Sequence, residues 1–231
     1  MTCMICDPTI ERHVVLGDHL STNSATPVLI DGALADARCP TCGSRARHRA
    51  LAALLHRAAP FLQRNARVLL IGASKPERTI CARHFSGWRH VSLMGAHDDP
   101  SCELGVDITR FESDSKFDYV FAWGIFDYIP ETESALRALA AALAPGGALI
   151  FYIMPYRLTR EIETMEVVHR NALKTESYAP SGPSTGIPHC RFNPDTLQRW
   201  LSEAGLVPTI VQIQDDSSPM LLDVFVGRKA R

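Results

Sequence analysis

At 231 residues, 46% of them hydrophobic and 21% charged, the chain can bury a core without disulfide support, and an intrinsically disordered chain is excluded. A formal net charge of -1 argues against a general nucleic-acid binder, and no run approaches the roughly 20 apolar residues that a membrane crossing requires. Met1 to Cys6 contains neither a basic segment nor a long apolar run, so no secretory signal is expected and the cytoplasm is the expected location.

The chain opens on cysteines. Four of its seven form two C-x-x-C pairs, Cys3/Cys6 and Cys39/Cys42, while Cys81, Cys102 and Cys190 are scattered; the odd total speaks against a disulfide framework. Each C-x-x-C turn directs two thiolates at one tetrahedral position, so the two pairs together predict a structural zinc knuckle of the ribbon type. In the second pair, Pro40 fixes the turn and Gly43 lets the backbone curl under the sulfurs. The 32 residues between Cys6 and Cys39 exceed the usual ribbon spacing, but a longer loop adds little closure entropy. A thioredoxin-like redox pair is the competing reading; it would place C-x-x-C at a helix start within a βαβ unit, a context missing here. From Arg38 to Arg67 the chain carries seven arginines and no acidic residue, which reads either as a solvated helix face or as a local anion site.

Strands and helices then alternate. Helical spacing of Leu51, Leu54, Leu55 and Ala58 predicts a helix within Ser44 to Gln63, followed by a buried parallel strand over Arg67 to Gly72. Pro76 to Phe85 reads as a helix with proline in its first turn, His90 to Met94 as a strand, Phe117 to Trp123 as another, and Glu131 to Ala144 as an alanine-rich helix. Pro145-Gly146-Gly147 turns the chain into a strand over Ala148 to Ile153. Met154 to Pro194 is a polar insertion with an expected amphipathic helix from Arg160 to Leu173 and a glycine- and proline-rich tip at Ser181 to Gly186. A helix over Pro194 to Ala204, with Asn193 as N-cap, precedes closing strands at Thr209 to Gln214 and Leu221 to Val226. Such alternation predicts an α/β fold with a parallel-centred sheet covered on both faces.

Several of these landmarks resemble the class I S-adenosylmethionine (SAM)-dependent methyltransferases, over about Arg67 to Arg231. They are Phe117-Asp118-Tyr119-Val120, Ile129-Pro130-Glu131, Leu143-Ala144-Pro145-Gly146-Gly147, and the Trp200 to Leu206 segment before the final strand pair. The resemblance implies a Rossmann-like, seven-stranded mixed sheet and SAM as cofactor. Cys39-Pro40-Thr41-Cys42-Gly43-Ser44 with Arg47-His48-Arg49 is similar to a bacterial subgroup with a cysteine-rich knuckle before that fold. The implied organisation is a zinc knuckle and helix over 1–63 and a SAM-binding domain over 64–231, with a lid at 154–194.

The cofactor site departs from that pattern. The family's first strand usually ends in an acid and a G-x-G-x-G turn; here Leu70 stands at the acid position and only Gly72 remains, followed by Ala73, Ser74 and Lys75. Met94 lies near the place of the ribose-binding acid, with Asp98 and Asp99 several residues late. Gly105 to Thr109 is better kept, and by resemblance Asp107 and Ile108 face the adenine. The expected cofactor-binding residues are therefore Gly72, Ala73, Ser74, Asp107, Ile108 and Trp123.

Aromatic faces suit a sulfonium, and Trp123, Phe126, Asp127 and Tyr128 leave the strand end where the family reacts, although Trp123 and Phe126 also read as core. Asp127, Tyr128 and His189 are the catalytic candidates, His189 because imidazole titrates near cellular pH. Tyr156, Arg157, Tyr178 and Arg191 are further lid candidates, and Arg45, Arg47 or Arg49 could reach a carboxylate. With no substrate domain beyond lid and knuckle, the expected reaction is methyl transfer from SAM to a small molecule in secondary metabolism. Three alternatives compete: cyclisation of SAM to azetidine-2-carboxylate and methylthioadenosine, RNA methylation through the knuckle and arginines, and a scaffold that has lost SAM. RNA is disfavoured by the charge balance and by the lack of aromatic interleaving around Arg45 to Arg67. Oligomeric state is not encoded in any motif.

Overall fold

The computed structural model describes residues 5–6, 16–17, 39, 41–42, 44–93, 99–153, 162–167, 187–214 and 221–231. Its centre is five parallel strands: β2 (Val68–Ile71), β3 (Arg89–Ser92), β4 (Glu103–Leu104), β5 (Phe117–Trp123) and β6 (Leu143–Tyr152). An antiparallel pair, β9 (Leu206–Gln214) and β10 (Leu221–Lys229), extends the sheet beside β6. The resulting order β9-β10-β6-β5-β2-β3-β4 is the expected seven-stranded mixed sheet, and a two-residue strand, β1 (Leu16–Gly17), adds an eighth at the β9 edge. A separate hairpin, β7 (Ile162–Val167) with β8 (Ile187–Phe192), is inserted after β6.

Alternation along the strands explains the continuous apolar runs. Val68 and Leu70 of β2, Phe121 and Trp123 of β5, and Ile150 and Tyr152 of β6 enter one core cluster; Leu69, Ile71, Val120, Ala122, Leu149 and Phe151 enter the other. Both faces of the sheet are therefore buried, as parallel sheets require. The first face is covered by α1 (Ala46–Ala58) and α2 (Lys75–His84), the second by α3 (Thr132–Ala142) and α4 (Pro194–Glu203). Ala50, Leu51 and Leu55 of α1 share a cluster with β2 and β5, so this helix packs into the sheet domain. Asn193 caps α4 as expected, accepting a hydrogen bond from the Asp195 N–H. No helix among the described residues is long and apolar enough to cross a membrane.

Two elements differ from the sequence reading. The expected amphipathic helix from Arg160 to Leu173 is instead strand β7 over Ile162–Val167: paired register with β8 supplies hydrogen bonds that outweigh helical spacing in a short segment. Strand β6 begins at Leu143, before the Pro145-Gly146-Gly147 turn, which becomes an irregularity in its pairing with β5.

That irregularity depends on Gly147. A Cβ there would lie 2.9 Å from the carbonyl oxygens of Ala144 and Phe117 and 3.1 Å from that of Asp118, all backbone atoms that cannot step aside. Gly147→Ala should cost about 2 kcal/mol, a fall of roughly 4–8 °C in Tm. Gly87→Ala, where a Cβ meets nothing within 4 Å, should leave Tm nearly unchanged. Thermal unfolding of the two variants against the parent checks both.

Candidate functional site

Strand order reverses between β2 and β5, because the chain runs outward from β2 through β3 to β4 and then returns to the other side. In open parallel sheets such a switch point leaves a crevice at the carboxyl ends of the strands. Three of the segments singled out in the sequence leave the sheet there: Gly72–Ser74 after β2, Gly105–Thr109 after β4, and Gly124–Tyr128 after β5. A cavity of about 410 Å³ lined by Arg67, Trp88, Arg89 and Phe117 lies at the opposite, amino ends of these strands, away from all three segments.

Gly72 takes a left-handed φ of 55°, and a Cβ on it would come within 2.7 Å of Ile125 Cδ1. Glycine thus keeps the β2 and β5 exits in close approach. Its N–H donates to the Val91 carbonyl (2.8 Å), the Ala73 N–H to His90 Nε2 (3.0 Å) and the Ser74 N–H to Glu77 Oε2 (2.6 Å). Ser74 and Glu77 form the capping box of α2.

Two buried histidines stand behind these bonds. His90 accepts at Nε2, so its proton sits on Nδ1, 2.7 Å from Asp99 Oδ2. His48 has the opposite tautomer: Nδ1 accepts from the Arg45 N–H (3.0 Å), which leaves Nε2–H facing Glu77 Oε1 at 3.4 Å and Ser74 Oγ at 3.5 Å. Burial lowers the pKa of His48 against the pull of Glu77. Hydrogen bonds from Ser101 and His90, helped by the Arg78 guanidinium, overcome burial and draw Asp99 down to about 2.

Of the expected cofactor-binding residues, Ala73 and Ile108 are buried, and Asp107 is exposed with Oδ1 accepting from Thr109 N–H (2.9 Å) and Oγ1 (2.7 Å). Trp123 is buried against Tyr152, with ring centroids 5.6 Å apart, and its Nε1–H donates to the Arg47 carbonyl (3.0 Å). Phe126 is a core residue, stacked edge-on against Phe151. Asp127 is only 3% exposed beside it, whereas Tyr128 is 48% exposed. Strand β8 packs on this Phe126–Tyr128 turn, and His189 lies in β8 as the backbone partner of Met165. Tyr156, Arg157, Tyr178, Met94, Asp98 and the 181–186 tip lie outside the described residues.

The sulfur atoms of Cys6, Cys39 and Cys42 all lie within 4.8 Å of one another, Cys6 and Cys39 at 3.6 Å. Burial opposes ionisation of Cys39, but the Cys42 and Thr41 amides and the neighbouring thiols prevail and bring it down to about 6. A thiolate beside two further thiols is a donor set that suits zinc. Cys3, the expected fourth ligand, lies outside the described residues.

Sequence reasoning missed His48, Glu77, Arg78, His90 and Asp99 as site residues. Ser74-x-x-Glu77 was a legible capping signal; the histidines were missed because the loop groups they meet, Ala73 for His90 and Ser74 for His48, are 17 and 26 residues away.

Because Asp99 ionises more readily in the folded chain, its stabilising contribution is complete above pH 4 and is lost as pH falls through about 2. Urea midpoints measured between pH 5 and pH 2 should therefore fall, with Asp99→Asn giving a shallower slope by about 2 kcal/mol over that window.

Comparison with known proteins adds to this geometry. The family profile described as methyltransferase domain matches residues 44–211. No curated protein sequence matches the chain. Among solved structures, the 1,6-didemethyltoxoflavin-N1-methyltransferase of Burkholderia thailandensis, with 1,6-didemethyltoxoflavin and S-adenosylhomocysteine bound, superposes with a TM-score of 0.55 at 15% identity over 80% of this chain and 79% of that one. A SAM-bound amino pentose methyltransferase of Micromonospora echinaspora, involved in calicheamicin biosynthesis, gives 0.55 at 17% identity over 81% and 93%. A sugar N-methyltransferase of a Streptoalloteichus species gives 0.52 at 19% identity over 80% and 88%. At these identities the superpositions establish a shared fold.

Proposed function

The chain belongs to the methyltransferase domain family, and we propose that it transfers a methyl group from SAM to a small-molecule acceptor in natural-product biosynthesis. The observation that carries this reading is that the Gly72–Ser74, Gly105–Thr109 and Gly124–Tyr128 segments all leave the sheet at the carboxyl ends of its strands, the side on which a switch-point crevice takes its ligand. Solved structures of the same fold include an amino pentose methyltransferase, a sugar N-methyltransferase and a 1,6-didemethyltoxoflavin-N1-methyltransferase, in keeping with a small acceptor.

SAM, when bound, supplies an electrophilic methyl group on a sulfonium. The residues that would hold it are Gly72, Ala73 and Ser74 at the first loop, Asp107 and Ile108 toward the adenine, and Trp123 as a wall fixed to α1 through the Arg47 carbonyl. Asp127 and Tyr128 are the acceptor-side groups: a carboxylate to orient or deprotonate the nucleophile and a phenol to hydrogen-bond it. His189 is a second base, carried on the β7–β8 part of the 154–194 lid. Residues 1–63 contribute the knuckle and α1, and 64–231 the donor domain. In the knuckle, Cys3, Cys6, Cys39 and Cys42 would hold one zinc ion with a closed coordination shell and a structural role.

Cyclisation of SAM remains the rival chemistry, and the engaged amides of the first loop favour it to the extent that they deny the ligand the usual donors. The two readings separate by mass spectrometry. With SAM alone the methyl-transfer reading expects intact SAM, and with an amino- or hydroxy-bearing acceptor it expects S-adenosylhomocysteine. Methylthioadenosine formed without acceptor would replace it by cyclisation. Isothermal titration should give one S-adenosylhomocysteine site per chain, and a chain that binds none is a scaffold. For the knuckle, elemental analysis should find one zinc per chain, lost in Cys39→Ser together with several degrees of Tm.

A further inference from the structure

Ala73 sits at the centre of a closed ring of hydrogen bonds. Its N–H donates to His90 Nε2 at 3.0 Å, and His90 Nδ1–H donates to Asp99 Oδ2 at 2.7 Å. Arg78 Nε lies 3.4 Å from the same Asp99 oxygen, and Arg78 Nη1 donates to the Ala73 carbonyl at 2.7 Å. The second Asp99 oxygen accepts from the N–H and Oγ of Ser101. The His90 side chain is fully buried, and those of Asp99 and Arg78 are about one-tenth exposed. Both peptide groups of one loop residue are therefore held by a single side-chain circuit.

The neighbouring amides are engaged too, Gly72 with Val91 and Ser74 with Glu77. A glycine-rich loop offers its N–H groups to the ligand; this loop has turned three consecutive ones inward. Asp99, the acid that follows β3 late, is occupied by His90, Arg78 and Ser101. What the lost glycines would have given as freedom, the circuit replaces with fixed backbone.

We propose that His90, oriented by Asp99, is the positioning residue of the cofactor loop, locking Ala73 so that the loop meets SAM with a preset backbone and no donated amide at that residue. The inference rests on the SAM-binding reading above. Without the imidazole, Ala73 N–H is a buried donor with no acceptor, and the loop must open or recruit water to satisfy it.

The test measures S-adenosylhomocysteine affinity by isothermal titration in the full chain, with two variants at one position. His90→Leu should weaken binding about tenfold, the effect of orphaning one buried donor. His90→Gln, whose side-chain oxygen can accept in place of Nε2, should recover most of the loss, a rescue that mere core filling would not give. Long-range proton–nitrogen spectra of the parent should show His90 protonated at Nδ1 and bare at Nε2. If the parent binds and His90→Leu binds equally well, or if the proton sits on Nε2, this inference falls and the SAM reading stands. If the parent binds no ligand, both fall. Should His90→Leu fail to fold, Asp99→Asn decides: an unchanged tautomer with unchanged affinity overturns the proposal, and a weakened affinity supports it.

Discussion

A peptide N–H withdrawn from water must find an acceptor, and the three consecutive amides that follow β2, Gly72 to Ser74, all find one. Their acceptors come from three different places: the β3 backbone at Val91, the imidazole of His90, and the carboxylate of Glu77 in the first turn of α2. Each choice propagates outward. His90 can accept only while its proton is on Nδ1, which requires Asp99; Glu77 can accept only where α2 begins, which requires Ser74 as cap. The loop's shape is thus decided by groups around it rather than by glycines within it.

The sheet explains why those groups can be there. Strand β3 lies beside β2, in parallel register Leu70 opposite His90, so a polar side chain near the β3 exit falls directly under the β2 loop. On the far side the β5 exit brings Ile125 against Gly72, and α1 lays the Arg47 backbone over Trp123. A loop squeezed between two strand exits and a helix has little room to rearrange. Fixed polar partners cost less there than they would on an open surface, since the neighbours are already ordered by packing.

How legible this was in the sequence depends on the range of each interaction. The strands β2, β5 and β6 announce themselves because both of their faces are buried, so they read as unbroken apolar runs. The α4 N-terminus is equally plain, because Asn193 and Pro194 act on adjacent backbone. Strand β7 misleads, since Ile162 and Met165 stand three apart, as on a helix face, while Met165 and Val167 stand two apart, as in a strand, and only pairing with β8 decides between them. His90 and His48 are opaque for the same reason: each works through partners brought close by the β2–β3 and α1–α2 contacts. Trp123 and Phe126 illustrate a further limit, for the same rings could serve a ligand or a core, and burial places both in the core clusters.

The cysteine cluster and the loop are not separate structures joined by a linker. The Cys39 N–H donates to the Ser44 carbonyl, which also receives Arg49, and Cys42 Sγ lies 3.2 Å from Ser44 Oγ. One residue later the Arg45 N–H bonds His48, whose other nitrogen faces Glu77, whose second oxygen holds the Ser74 N–H. Arg83 of α2 also donates to the Ile5 carbonyl beside Cys6. Ser44, Arg45, His48 and Glu77 therefore connect the thiol cluster to the Ser74 N-cap of α2, with the apolar side of α1 buried in the same cluster as β2 and β5. A ligand set that orders Cys39 and Cys42 orders the start of α1, and the start of α1 is what His48 needs to hold Glu77 in place. Cys39 and Cys42 are thereby tied through the start of α1 to the loop that follows β2.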